Sequence, residues 1–222
     1  MKTCVLIPSY NEESTISNIV KKIRNIGLDV IVVDDGSTDN TGKIASESGA
    51  LVIRNTKNMG KGASLKEGFD LVLRTTTFDA VIIMDGDGQH STADIQKFIE
   101  HAEDCGDDII VGNRMEYVKN MPPLRLFTNR LMSLFLSFMC KQRIPDTQCG
   151  FRLIRRSVIE KLNLKTNKYD LESEILIKAS KEKFKITSIP VKTIYRNESS
   201  GINPVKDSFR FIALIVRTYI GR

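Results

Sequence analysis

Five short apolar runs alternate in the first half of the chain with segments whose apolar residues recur at helical spacing. The runs are Thr3–Pro8, Asp29–Val33, Ala50–Ile53, Ala80–Met84 and Asp108–Gly112. Between them, Ile16, Ile19, Val20 and Ile23 mark one helix, and a shorter one runs towards Ser48. Leu65, Phe69, Val72 and Leu73 mark a third, and Ile95, Phe98, Ile99 and Ala102 a fourth. Alternation of this kind specifies an α/β fold built on an open, mostly parallel sheet flanked by helices. The 222 residues, 41% of them hydrophobic, suit one domain with a substantial core and would be cramped as two.

Polar clusters close three of these strands: Ser9-Tyr10-Asn11-Glu12, Asp34-Asp35-Gly36-Ser37-Thr38-Asp39 and Asp85-Gly86-Asp87-Gly88-Gln89-His90. Ligands of open α/β sheets collect at the carboxyl ends of the strands, so the clusters point to one edge. Two carboxylates one residue apart, loosened by glycines, stabilise a fold poorly. They present a divalent cation well, because Mg²⁺ takes one or two protein carboxylates and completes its shell with substrate phosphates and water. A calcium loop is excluded, since it needs Gly and Glu where His90 and Gln96 stand. A phosphate-binding P-loop at Gly60-Lys61 is excluded because Gly62, not Ser or Thr, follows the lysine. A receiver domain would be far shorter and would need a lysine where Gly112-Asn113-Arg114 offers none. A merely solvated acidic turn explains one cluster but not its coincidence with the other two. Two caps are also expected: Ser37 or Thr38 on the short helix, and a capping box over Ser91–Asp94 with Asp in place of Glu.

The second half differs in character. Residues 1–113 carry a net charge of −7 and residues 114–222 one of +13, within a total of +6. A basic half calls for an anionic partner. Nucleic acid is disfavoured by 7% aromatics, no tryptophan and no recognisable motif; a phosphorylated substrate or an anionic membrane surface fits better. The four cysteines are dispersed, with no Cys-x-x-Cys pair, which predicts reduced thiols rather than a disulfide framework or zinc site. No run approaches the roughly 18 apolar residues of a membrane span, and Cys4–Ile7 is too short for a signal-peptide core. These features predict a cytoplasmic chain, peripheral on a membrane face rather than crossing it.

After Pro122-Pro123, a long helix over 124–141 carries Phe127, Leu131, Leu134, Phe135, Phe138 and Met139 as its main apolar stripe, with Met132 and Leu136 off it. The stripe packs into the core, or the excess of apolar residues borders a lipid-accessible groove with Arg125 and Arg130 at its polar margin. Asp146–Arg152 reads as a functional loop, 171–183 as a helix bearing Glu172 and Glu174, and 186–195 as an extended segment. The apolar, arginine-spaced segment from Ser208 to Ile220 is core, an oligomer contact or an interfacial anchor.

Six motifs occur in an order that resembles family 2 glycosyltransferases: Pro8–Glu12, Val33–Asp39, Asn58-x-Gly60-Lys61-Gly62, Asp85-x-Asp87-x-Gln89-His90, Gly112–Arg114 and Asp146–Arg152. More closely, the chain is similar to the dolichyl- or polyprenyl-phosphate mannose and glucose synthase branch, from about residue 3 to residue 215. The resemblance implies a GT-A fold, with a nucleotide-sugar-binding half over 1–113 and an acceptor-binding half over 114–222. It implies that Pro8, Tyr10, Glu12, Val33 and Asp35 hold the nucleoside, an Asp being able to accept from a base N–H. Asp85, Gly86 and Asp87 would line the diphosphate and sugar, with Lys61 within reach. Asp87 and Gln89 would be ligands to Mg²⁺ or Mn²⁺. Arg114 and Arg130 would grip the acceptor phosphate or leaving group, and Arg196 would add a further phosphate contact.

The chemistry implied is metal-dependent, inverting transfer of a hexose from GDP-mannose or UDP-glucose to a polyprenyl phosphate. A phosphate monoester, with a second pKa of about 6, is already largely ionised and needs no general base. Synthases of this branch often continue into transmembrane helices or dock on a membrane-protein partner, and Ser199-Ser200-Gly201 departs from the Ser-His common after the phosphate-binding arginine. Glu172 and Glu174 fall where transferases acting on hydroxyls keep an acidic base, or they are a solvated pair at a helix start. Two alternatives remain at this point: transfer to a hydroxyl of a polysaccharide, protein or small molecule, and a nucleotide-sugar-binding protein without turnover.

Overall fold

The core of the sheet is set by strands too apolar to face water. Every residue of β1 (Thr3–Ser9) is buried, as are all four of β4 (Ala80–Ile83) and all but the first of β2 (Asp29–Asp34). A computed structural model describes residues 1–75, 77–118, 121–166 and 170–194. Arg196, the Ser199–Gly201 stretch and the segment from Ser208 to Ile220 lie outside these residues.

The remaining strands are β3 (Leu51–Arg54), β5 (Ile109–Asn113), β6 (Arg152–Arg155) and β7 (Ile186–Pro190). The helices are α1 (Ile16–Asn25), α2 (Thr41–Glu47), α3 (Lys61–Arg74), α4 (Ile95–Cys105), α5 (Pro123–Cys140), α6 (Arg156–Lys161) and α7 (Asp170–Lys181). One seven-stranded sheet runs in the order β3-β2-β1-β4-β6-β5-β7. All pairings are parallel except those of β6, which lies antiparallel between β4 and β5. The α/β class and the mostly parallel sheet are therefore as the alternation predicts. β6 was not expected as a strand, and through it and β7 the second half of the chain completes the sheet begun by the first.

The strand order reverses between β1 and β4: the chain first moves outward through β2 and β3, then returns to the other side of β1. Such a reversal leaves a crevice beyond the carboxyl ends of the strands. Ser9–Glu12 and Asp85–His90 flank that crevice, and Asp34–Asp39 lies beside it.

Local differences from the sequence reading have simple causes. Asp39, not Ser37 or Thr38, accepts from the first amide of α2, that of Thr41, at 2.9 Å. Ser37 is committed elsewhere, its hydroxyl accepting from the Asn11 amide. Ser91 makes no side-chain cap, and residues 92–94 form a single 3₁₀ turn. The Asp94 carboxylate is occupied instead by Lys97 Nζ at 2.5 Å and the Lys192 amide at 3.3 Å.

Of the two readings left open for α5, its orientation excludes the core stripe and leaves the exposed apolar face. Its buried residues are Asn129, Ser133, Leu136 and Cys140, a stripe of small or polar side chains apart from Leu136. Leu124, Phe127, Leu131, Leu134, Phe135 and Phe138 are exposed, Leu134 by 70% and Phe138 by 80%. Hydrogen bonds select the inward face. The Ser133 hydroxyl accepts from the Thr147 amide at 2.9 Å, and the Ser137 hydroxyl accepts from the Ile144 amide at 2.9 Å. No helix among the described residues is long and apolar enough to cross a membrane.

Candidate active site

The loop after β1 is stitched to its neighbours by backbone and hydroxyl groups. Asn11 adopts the left-handed conformation (φ 57°), which Asn tolerates better than most residues. Its amide donates to Ser37 Oγ, and its side-chain oxygen accepts from the Thr38 amide. The Glu12 amide donates to Thr41 Oγ1, and Thr15 Oγ1 donates to the Gly86 carbonyl at 2.6 Å across the crevice. A Cβ on Gly86 would lie 2.7 Å from Ser9 Oγ, so this close approach requires glycine. Pro8 and Val33 are buried register partners in the sheet, Tyr10 is exposed, and Glu12 is partly buried.

Asp35 is nearly fully buried and shapes the next loop. Its carboxylate accepts from Asn55 Nδ2 and the Met59 amide at 2.9 Å, and from the Gly60 amide at 2.7 Å. These bonds fix the approach to Lys61, the first residue of α3. A carboxylate offers about four lone-pair sites, so one direction is left for a ligand.

Lys61 is the electrostatic centre. Its ammonium lies 2.5 Å from Asp85 Oδ1 and 2.9 Å from Glu172 Oε1, with little solvent access. Burial opposes its charge, but Asp85 and Glu172 outweigh burial and hold it protonated far above the ordinary lysine range. Burial likewise opposes ionisation of Asp85, yet Lys61 and His90 keep that carboxyl well below the usual range. His90 Nε2 stands 3.3 Å from Asp85 Oδ2, and its ring packs on Phe151, with ring centres 5.1 Å apart. A Cβ on Gly150 would fall 2.5 Å from Asp85 Oδ2 and 2.9 Å from Lys61 Nζ. The Asp146–Arg152 loop therefore closes directly over this ion pair.

Asp87 behaves differently. Burial first, and repulsion from Asp85 second, push its carboxyl above the ordinary value. One of its oxygens accepts from the Gln89 amide at 2.9 Å. Among the described residues, neither its other oxygen nor the Gln89 side chain has a hydrogen-bond partner. A largely desolvated carboxylate and an adjacent amide oxygen are hard donors, and together they fit Mg²⁺ or Mn²⁺.

Arg114 is buried and forms a bidentate pair with Asp146, Nε to Oδ2 at 2.7 Å and Nη2 to Oδ1 at 2.9 Å. Arg130 is exposed on α5, one turn before Ser133, whose bond to Thr147 ties the helix to the same loop. Arg152 is completely buried and donates to the carbonyls of Thr147, Cys149 and Glu172 at 2.7–2.8 Å. It thereby fastens the loop to the first turn of α7.

The structure thus brings Lys61, Asp85, Gly86, Asp87 and Gln89 to one crevice, with Asp35 beneath the loop that delivers Lys61. Arg114 is bound to Asp146, and the helix that carries Arg130 is tied to the adjacent Thr147 through Ser133. Glu172 and Glu174 are not a solvated pair. Glu174 is buried and accepts from the Lys165 and Thr166 amides at 2.9 and 2.8 Å, whereas Glu172 faces Lys61. The sequence reading took Asp146–Arg152 as a functional loop without separate roles for Asp146, Gly150 and Arg152, and left Glu172 as an acidic base or one of a solvated pair, not as a partner of Lys61. A cue for Glu172 existed: a lysine opening a helix beside an acidic strand end needs its charge balanced once buried.

The family model for glycosyl transferase family 2 matches residues 4–163. The UDP-N-acetylglucosamine–dolichyl-phosphate N-acetylglucosaminyltransferase of Methanococcus voltae is 32% identical over 222 residues, spanning 88% of this chain and 86% of that protein. Polyprenol monophosphomannose synthase of Mycolicibacterium smegmatis is 30% identical over 204 residues, spanning 86% and 76%. The crystal structure of glucosyl-3-phosphoglycerate synthase from Mycobacterium tuberculosis, in complex with Mn²⁺, uridine diphosphate and phosphoglyceric acid, superposes with a TM-score of 0.76 at 20% identity. It covers 97% of this chain and 77% of that one. At that identity the likeness shows the fold, which is GT-A.

Proposed function

The chain belongs to glycosyltransferase family 2, and we propose that it moves a hexose from a nucleotide sugar to the phosphate of a polyprenyl or dolichyl carrier, inverting the anomeric carbon. GDP-mannose and UDP-glucose are the donors first to be tried, with UDP-N-acetylglucosamine added because a relative is named for it. Residues 1–113 serve the donor in this reading and residues 114–222 the acceptor.

On the donor side, Pro8, Tyr10, Glu12 and Val33 border the nucleoside, and Asp35 offers its remaining lone pair to a base N–H. Asp85 and the Gly86 backbone line the ribose and diphosphate, and the Lys61 ammonium supplies positive charge beside them. Asp87 and Gln89 hold Mg²⁺ or Mn²⁺, which when bound offsets the charge that builds on the departing diphosphate. The Asp146–Arg152 loop, pinned by Arg152, covers this centre and limits water. On the acceptor side, Arg114 and Arg130 orient the phosphate, Arg114 being set in place by Asp146; Arg196 is an additional candidate. The attacking phosphate oxygen is already ionised near neutral pH, so no side chain need remove a proton.

The observation that carries the lipid reading is α5. Its exposed apolar face stands beside the exposed Arg130, which matches an acceptor with an anionic head and an apolar tail. A peripheral attachment to the membrane through that face follows. Glu172 favours one second reading, transfer to a hydroxyl with this carboxylate as base, although its pairing with Lys61 weighs against it. The deciding experiment offers radiolabelled donors with Mn²⁺ or Mg²⁺ to the purified protein, with polyprenyl phosphate or with sugar and peptide hydroxyls. Organic-extractable sugar is the expected result. Turnover that ignores the lipid and follows a hydroxyl acceptor would replace the first reading by the second.

A further inference from the structure

A groove of about 550 Å³ lies between α5 and the segment 141–145. Arg130 stands at one end and Lys141 and Arg143 line it further on, with Leu134, Ile144 and Pro145 between them. Among the described residues no carboxylate lines it. Among the described residues the side chains of Arg130, Lys141 and Arg143 form no ion pair or hydrogen bond. Three unpaired cations around one concavity mark a site that lacks its anion.

The two ends of the groove are separate. The Arg130 end is tied through Ser133 and Thr147 to Asp146 and Arg114. Lys141 follows Arg130 by eleven positions, about 16 Å along a helix axis at 1.5 Å per residue. The segment then folds back, and the Ile144 amide donates to Ser137 Oγ, which sets Arg143 near the level of Ser137, two turns beyond Arg130. One phosphate held by Arg130 is therefore out of reach of Lys141. Phe138 and Leu134, both largely exposed, flank the outer cations. Apolar side chains flanked by unpaired lysine and arginine form the pattern by which a protein settles into an anionic membrane interface.

We propose that Lys141 and Arg143 form an anion site for the headgroup phosphates of bilayer phospholipids, which holds the outer end of α5 to an anionic membrane. It rests on the reading of α5 as a membrane-facing helix and adds which lipids that face selects.

The test uses the full chain and its Lys141→Gln/Arg143→Gln variant, sedimented with vesicles of phosphatidylcholine or of phosphatidylcholine and phosphatidylglycerol. The wild type should prefer the anionic vesicles, and the variant should lose that preference, a fall on the order of 25-fold for two interfacial cations. Transfer to polyprenyl phosphate in neutral detergent micelles should be unchanged in the variant. Both residues are exposed, so the melting temperature should not move. Undiminished preference of the variant for anionic vesicles, or no preference in the wild type, overturns the proposal. So does a raised acceptor KM for the variant in neutral micelles, which would give these cations to the acceptor itself. A wild type that binds anionic vesicles but transfers no sugar to any lipid phosphate refutes the lipid-acceptor reading and leaves this site standing.

Discussion

Replacing Lys61 by methionine probes the charge arrangement on which the site is built. In the wild type the ammonium separates two carboxylates, at 2.5 Å from Asp85 and 2.9 Å from Glu172. Methionine approximates the volume of the side chain but leaves those carboxylates facing one another. Breaking a buried pair by removing one partner costs about 3–5 kcal/mol. The Asp85 side chain is 27% exposed, so solvent screens part of the loss and places the expectation near the lower end, about 3 kcal/mol. With a denaturant slope of about 2 kcal/mol/M, the urea midpoint should fall by about 1.5 M at pH 7, read by far-ultraviolet circular dichroism.

The sign of the pH dependence follows from the two shifts. Asp85 is held below its unfolded value, so its contribution is full above about pH 4 and is lost as pH falls through the folded value. Lys61 is held above its unfolded value, so its contribution is full below about pH 10 and is lost as pH rises through the folded value. The pair therefore stabilises the wild type across the neutral range. In the variant the stranded carboxylates protonate more readily, and the deficit should narrow between pH 7 and pH 4. A midpoint within 0.3 M of wild type at pH 7 would refute the argument (about 0.6 kcal/mol at the same slope). So would a deficit equally large at pH 4.

Asp87→Ala should keep the fold but lose the Mn²⁺ dependence of nucleotide binding by calorimetry; unchanged affinity with metal present would remove Asp87 from the cation site. Gly150→Ala places a methyl 2.5 Å from Asp85 Oδ2, and an overpacking cost of about 1–2 kcal/mol should appear as roughly tenfold weaker donor binding. Arg152→Met forfeits bonds to three carbonyls and should destabilise by about 3 kcal/mol in urea, because those carbonyls stay buried. Leu134→Ser/Phe138→Ser alters side chains 70% and 80% exposed, so unfolding free energy should move by no more than about 0.5 kcal/mol while vesicle binding drops at least about tenfold. Loss of stability without loss of vesicle binding would make those residues part of a packed interface instead.

What the sequence made legible was local. The strands through Ile7, Val32 and Ile82 and the helices through Ile19, Phe69 and Phe98 carry their periodicity within a dozen residues, and all are where that periodicity puts them. The acidic cluster at Asp85 was likewise visible because its members are neighbours in the chain. β6 was not visible, since four residues after a loop give no period, and its pairing with both β4 and β5 depends on partners distant in sequence. The pairing of Glu172 with Lys61 was not visible for the same reason, since the two are distant in sequence.

The ambiguity of α5, which the sequence left between a core stripe and an exposed apolar face, has a different origin. Hydrophobic periodicity identifies the buried face of a helix only when the opposite face meets water. Here Phe127, Leu131, Leu134 and Phe138 form the more apolar face, yet Asn129, Ser133, Leu136 and Cys140 turn inward. The inward choice satisfies the backbone amides of Ile144 and Thr147 through Ser137 and Ser133. An amide left unsatisfied in that packed interface costs about 1–3 kcal/mol, and the serines meet two of them. Fixing the Asp146–Arg152 loop in this way leaves the apolar stripe outside. The arrangement that closes the loop over Asp85 and Lys61 is therefore the same one that turns an apolar face and Arg130 outward, so Ser133→Val should disturb the loop and the outward face together.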